Sequence, residues 1–393
     1  MADVTELLAR IISFRTISAG SNLPLLDWIE ETAKPYGVTA RRFPDPTGQK
    51  ASLLLTLGPE VPGGVLLSGH TDVVPCEGQT WTADPWVARV ENGRLIGRGS
   101  SDMQGFIACC LAALPAIAAK KLTRPVHFAF SYDEEVGCTG VWDMADWIGK
   151  SHMKPRLAVI GEPTEMHVAN AHKGGLIGWC KVKGVPGHSS QPDKYVNAVM
   201  IAAEVVAEIN RIRDDMRDGP RYAAATPPYS TIQVNQIRGG LHGNIVAENC
   251  EFFWEMRITP GSPPDSDLAV LERMKAFARS LEPAMKRISP DAGIEFITQA
   301  RIPPLNPVSD AAILREMLDL TGTQQALTKS GGTEAGIFTL QGIPSLVIGP
   351  GENSQPHQPD EYVQVAMLDR CIAFLDQLTD SCTGERAGQP QEP

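Results

Sequence analysis

The sequence predicts an α/β protein built on a mixed, mostly parallel sheet, with a ferredoxin-like βαββαβ unit inserted into it. Three observations lead there. From Asp3 to about His172, short apolar runs alternate with helical patterns, as in a doubly wound sheet. From Gly175 the order changes to strand, helix, strand, strand, helix, strand. After about Ala300 the alternating α/β character returns. The first domain is therefore discontinuous, residues 1–175 plus 298–393, and the insert covers 176–297. A chain of 393 residues is also too long for one ordinary core, which calls for two domains.

Taken in order, the first ten residues form an amphipathic helix pattern. They lack the basic segment followed by an apolar one that marks a signal peptide. The runs Val65–Gly69, Val126–Tyr132, Leu157–Gly161 and Ser345–Gly349 are short and apolar throughout, as in strands buried on both faces. The longest apolar stretch, Gly105 to Ala119, is too short to span a bilayer and contains Pro115. In the insert, Gly175–Lys183 reads as a strand. Val196–Arg213 reads as a helix with Val199, Ala203, Val206 and Ile209 on one face. Strands follow at Thr231–Ile237 and Cys250–Ile258, a helix from about Asp267 to Lys286, and a last strand at Gly293–Thr298. The polar tail, Thr383 to Pro393, is expected to fray.

Composition narrows the function. The formal charge of -11, from 35 Lys+Arg against 46 Asp+Glu, and the lack of a basic stripe exclude a nucleic-acid partner. No stretch calls for a membrane, so a soluble cytoplasmic protein is expected. The eight cysteines include no CxxC pair and read as reduced thiols.

Chemistry-bearing residues stand where the apolar runs stop. His70 and Asp72 close the first run, Glu134 and Glu135 the second, Glu162 the third, and His357 follows the fourth. Asp102 ends the loop Gly97-Arg98-Gly99-Ser100-Ser101-Asp102 and opens an apolar helix. Ligands of open α/β sheets gather outside the carboxyl ends of the strands. Two imidazoles and several carboxylates meeting there would hold divalent metal ions. Each residue alone has a plainer explanation: a satisfied core histidine at position 70, a helix N-cap at 102, a solvated acidic loop at 134–135. Together, in this order, they form a site. Asp102 could offer one oxygen to each of two ions. If Glu135 binds metal, Glu134 is free to move a proton between water and a leaving amine.

On these residues the chain resembles the two-zinc aminoacylase and deacylase family, from Leu23 to about Val363 and including the insert. The resemblance implies that His70 and Glu162 hold one zinc, that Glu135 and His357 hold the other, and that Asp102 bridges them, with cobalt as a substitute. It implies that Asp72 orients His70 and that Glu134 is the general acid/base. His188, in Gly187-His188-Ser189-Ser190, would reach a partner subunit's site and steady an oxyanion. Asn244 and Arg257 would hold the substrate carboxylate, and the insert would act as a lid and homodimer interface.

Within the family, Gly161-Glu162-Pro163-Thr164, Ala171-His172-Lys173-Gly174, Pro228-Tyr229-Ser230-Thr231-Ile232, Thr333-Glu334-Ala335 and His357-Gln358-Pro359-Asp360-Glu361-Tyr362 are most similar to the N-acetylornithine deacetylases. The implied partner is a small N-acyl amino acid, cleaved to ornithine and acetate. Thr333 and Glu334 join the substrate-binding candidates, Glu334 either as partner of a substrate ammonium or as an exposed loop glutamate. Gln104 stands where many relatives have lysine. Succinyl-diaminopimelate desuccinylase, a broad aminoacylase or dipeptidase, and a metal-free binding relative are the other readings; the last predicts a lost ligand.

Overall fold

Four strands predicted from the apolar runs lie side by side at the centre of an eight-stranded sheet. The structure is a computed structural model and describes residues 3–384. The tail expected to fray lies, from residue 385 on, outside the described residues. The strand order is Thr39–Pro44, Ala51–Leu57, Val126–Ser131, Val65–His70, Leu157–Ile160, Ser345–Val347, Ala169–His172, Leu327–Lys329. The middle four run parallel to their neighbours. Antiparallel pairs flank them. All residues of these four strands are buried, which is why they show no alternation in sequence.

Parallel alignment fixes where their ends go. His70 ends its strand and pairs with Ser131, the last residue of the neighbouring one. Glu134, Glu135 and Glu162 follow the ends of the next strands along the same edge. Behind them, helix Gln104–Ala118 is buried around almost its whole circumference and has no polar face. Helices Val4–Ile12, Leu23–Ala33 and Val365–Asp380 share its core. Each fully buried leucine or isoleucine there contributes roughly 2 kcal/mol. Packing is tight at Gly161, immediately before Glu162: an added Cβ would sit 1.9 Å from the Phe106 ring. Only glycine lets that strand end approach the helix so closely.

The chain divides into two compact units. One comprises the residues up to Ala171, Leu305–Thr328, and those from Thr333 onward; the other comprises His172–Pro304 and Lys329–Gly332. The insert is thus wider than 176–297. Strand Gly174–Lys183 belongs to it from its first residue, where Gly174 pairs with Ile258. Its last strand is Gly293–Ile302, and a register shift between Thr298 and Ala300 interrupts the alternation and hides the continuation from sequence reading.

In the second unit, the strand order is Thr231–Gly239, Asn249–Ile258, Gly174–Lys183, Gly293–Ile302, with every neighbour antiparallel. Helices Ala198–Arg217 and Ser266–Ile288 complete βαββαβ. Asn197 caps the first by accepting from the backbone N–H groups of Val199 and Met200. The face this helix buries is Ala198, Ala202, Val205, Ile209 and Ile212. That corrects the expected stripe by about one position: Val199 and Val206 flank the core, and Ala203 is exposed. Small alanines let the helix approach the sheet on the face that simple apolar counting passed over.

Candidate metal centre

The first unit brings all five expected ligand side chains together. Asp102 is the hub. Its Oδ1 lies 3.2 Å from His70 Nε2 and its Oδ2 lies 3.4 Å from His357 Nε2. Glu162 Oε1 is 3.7 Å from His70 Nε2, and Glu135 Oε2 is 3.0 Å from His357 Nε2. Two carboxylate oxygens, each turned to a different imidazole, match the geometry by which one carboxylate serves two ions. The donors of His70, Asp102 and Glu135 fall within 4.8 Å of one another, as do those of His70, Glu134 and Glu162. Glu134 is therefore near enough to be a ligand as well as a proton carrier. The helix N-cap alternative for Asp102 is set aside, since helix Gln104–Ala118 has no side-chain cap.

Imidazole orientation supports the fit. His70 Nδ1 lies 2.9 Å from the Asp72 carbonyl, so Nδ1–H donates there and the Nε2 lone pair faces the cluster. The Asp72 carboxylate lies farther off, at 3.6 Å from Nδ1. Its two oxygens instead accept the backbone N–H groups of Glu134 and Glu135, at 3.0 and 3.3 Å, and the Ser18 hydroxyl at 2.7 Å. Asp72 thus orients His70 through its carbonyl and the glutamate pair through its side chain. The preceding Asp133 pairs with Lys50 and accepts from Ala19 N–H, which fixes that turn from behind.

The cluster carries more negative charge than it can settle alone. Burial and the neighbouring Glu162 hold the Glu134 carboxyl well above its ordinary range. Burial and Asp102 push Glu135 up to about 7. Asp102 stays below the usual range because His357 and His70 outweigh its burial. Burial works against a charged His70, but Asp102 and Asp72 overcome it and raise its proton affinity. Asp102 and Glu135 push His357 up to about 10. A buried set of acids this dense demands positive charge, and divalent cations supply it without protons. His357 is 52 % exposed whereas His70 is 1 % exposed, so the cluster opens on the His357 side.

Glu334 is not an exposed loop glutamate: it is buried, accepting from Ser131 Oγ at 2.5 Å and Ser68 Oγ at 3.2 Å. Thr333 is also buried and accepts from Ala335 N–H. Gln104 donates through Nε2 to Thr16 Oγ1 and the Thr71 carbonyl, both at 3.0 Å. His188, Asn244 and Arg257 belong to the second unit. His188 and Asn244 are exposed and lie together, since Gly187–His188 pairs with Ile245–Val246 and Ser189 N–H donates to the Asn244 carbonyl. Arg257 pairs with Glu255 on its own strand.

Sequence reading missed Ser18, Ser68, Ser131 and Cys138, whose thiol lies 3.3 Å from Glu134 Oε1. A serine inside an apolar strand is a weak signal. It becomes informative only once a buried acid is found beside it.

Residues 66–381 match the profile of Peptidase family M20/M25/M40. The chain belongs to that family. An acetylornithine deacetylase of Photorhabdus laumondii is 33% identical over 382 residues, 95% of this chain and 96% of that protein. Among solved structures, an M20-family metallo-carboxypeptidase of Sulfolobus solfataricus superposes with a TM-score of 0.72 at 19% identity, covering 97% of this chain and 99% of that one. A dinuclear metal-binding M20 peptidase of Bacillus subtilis does so with a TM-score of 0.62 at 13% identity, covering 96% and 98%. This M20 chain is a metal-dependent amidohydrolase with an α/β fold. None of the five expected ligands is missing, so the metal-free reading has no support. Among the described residues, no helix is long and apolar enough to cross a membrane.

Proposed function

We propose that this M20 amidohydrolase cleaves the N-acyl amide of a small N-acyl amino acid, N-acetyl-L-ornithine foremost, giving L-ornithine and acetate in the cytoplasmic synthesis of arginine. The observation that carries the reaction is the placement of Asp102 between two imidazoles, with Glu134 beside them. The substrate choice rests on similarity to acetylornithine deacetylase over nearly the whole chain.

His70 and Glu162 would hold one zinc ion, Glu135 and His357 the other, and Asp102 both; cobalt would serve in their place. Such a pair, when bound, acidifies a water and polarises an acyl carbonyl. Glu134 takes a proton from the attacking water as the new carbon–oxygen bond forms. It returns that proton to the amine nitrogen as the carbon–nitrogen bond breaks. Asp72 keeps Glu134 aimed by holding its backbone N–H. His188 donates a hydrogen bond to the negative oxygen of the tetrahedral intermediate, from a partner subunit joined through the second unit. Arg257 exchanges Glu255 for the substrate carboxylate, with Asn244 as a second donor.

A parallel assay tests this. Purified protein with added zinc or cobalt is given N-acetyl-ornithine, N-succinyl-diaminopimelate and N-acetyl-methionine. Fastest turnover of the first is expected; cleavage of only the second would overturn the substrate assignment.

A further inference from the structure

We infer that Glu361 and Arg98 are positioning residues for the metal centre, with Gln79 as their link to His357. The inference rests on the metal-centre reading above and concerns how two ligands far apart in sequence are held in register. Glu361 is 0% exposed. Its Oε1 accepts the backbone N–H groups of Ser101 and Asp102, at 2.8 and 2.9 Å. Its Oε2 accepts Gly99 N–H at 2.9 Å and Arg98 Nη1 at 2.8 Å. All four acceptor directions of the carboxylate are used, so Glu361 has none left for a metal. Its partners are the loop that delivers Asp102, and it stands four residues after His357.

Arg98 carries the connection back. It is 1% exposed, and its Nη1 also donates to the Gln358 carbonyl at 3.3 Å. Its Nη2 donates to Gln79 Oε1, and Gln79 Nε2 donates to the His357 carbonyl at 2.7 Å. The guanidinium carbon lies 4.9 Å from the Trp81 ring centroid. Beneath this clamp, strand Arg94–Ile96 pairs with Tyr362–Gln364, and Gly97 N–H donates to the Glu361 carbonyl at 2.9 Å. The His357 backbone sits at φ 65, a left-handed conformation costing a non-glycine residue about 1 kcal/mol. It needs outside contacts to persist, and Gln79 supplies one.

A buried ion pair of this kind is poor evidence for stability, because desolvation offsets most of its attraction. Its distinct product is geometry. Tilting Asp102 would turn its oxygens away from both imidazoles at once, whereas loosening Gln79 would free only His357.

The test uses the full chain stripped of metal and titrated with Co²⁺ alone, read by calorimetry and by visible absorption, beside thermal melts of the metal-free forms. Wild type should take up two ions. In Glu361→Gln an amide N–H₂ must face N–H donors, and both ions should bind about 10–100-fold more weakly. Gln79→Ala, at a half-buried position, should weaken one ion only, by about 10-fold, with a changed cobalt spectrum. Its metal-free melting temperature should stay within about 2 °C of wild type. If Glu361→Gln does not fold, Gln79→Ala decides: selective loss of one ion supports the inference, and wild-type binding overturns it. Wild-type affinity in a folded Glu361→Gln overturns it outright. A wild-type chain that binds no pair of ions would remove the metal-centre reading and this inference with it.

Discussion

His70 and His127 sit on neighbouring parallel strands, 1% and 2% exposed, and have opposite acid–base character. His127 lies opposite Leu66, near the start of its strand, while His70 ends its own. His127 has a hydroxyl and a carbonyl for company: Thr56 Oγ1 at 2.9 Å and the Met153 carbonyl at 3.1 Å. Burial depresses its pKa to about 4. At His70 burial acts the same way, but Asp102 and Asp72 reverse the outcome. Depth therefore does not distinguish them; the company of carboxylates does. One end of the sheet is held together by neutral hydrogen bonds, and the other gathers charge that only cations can settle.

The largest expected effect comes from removing the proposed acid/base at the charged end. Glu134→Ala should lower kcat by about 10³-fold while cobalt uptake stays at two ions. The matching change at the quiet end, His127→Gln, should leave kcat within about 2-fold of wild type. Steady-state kinetics beside metal titration checks both. Near-normal turnover in Glu134→Ala would dissolve the contrast between the two ends.

The contrast can next be sharpened through pH. The folded pKa of His127, about 4, lies below its ordinary 6.5, so folding favours the neutral ring. Its contribution is complete above pH 6.5 and is lost as pH falls toward 4, a change of about 3 kcal/mol. Gln keeps a donor and an acceptor but does not titrate. Urea unfolding of His127→Gln should therefore lose less stability than wild type between pH 7 and 4, by up to about 3 kcal/mol. Parallel curves would show that His127 is not held neutral by the fold.

How much of this was legible beforehand follows the same division. The central strands and the acids and imidazoles at their ends could be read because full burial leaves an uninterrupted apolar run, and a charged or polar side chain at its end stands out. The βαββαβ order of the insert was legible for a similar reason, as its strands and helices differ in period. Its edges were not, because the register shift after Thr298 breaks the alternation within a continuous strand. Nor was the support around these candidate ligands. Ser131 and Glu334 are 203 residues apart, and Asp102 and Glu361 are 259 apart, so no local pattern joins them. Such contacts exist only once the sheet has set its strand order.

Glu334 offers the smallest and most discriminating of these tests, because it belongs to the charged end without being one of the five expected ligands. Burial pushes its carboxyl up to about 7, and two serine hydroxyls use half of its acceptor capacity. If its charge assists a substrate ammonium, Glu334→Gln should raise KM for N-acetyl-ornithine by about 3–10-fold, roughly 1 kcal/mol. KM for the neutral side chain of N-acetyl-methionine should barely change, since no opposite charge is lost. If Glu334 only ties the strand ends at Ser131 and Ser68, both substrates should suffer alike, through kcat and not through KM. Equal effects would thus place Glu334 with the structural hydrogen bonds of His127, despite its position at the acidic edge.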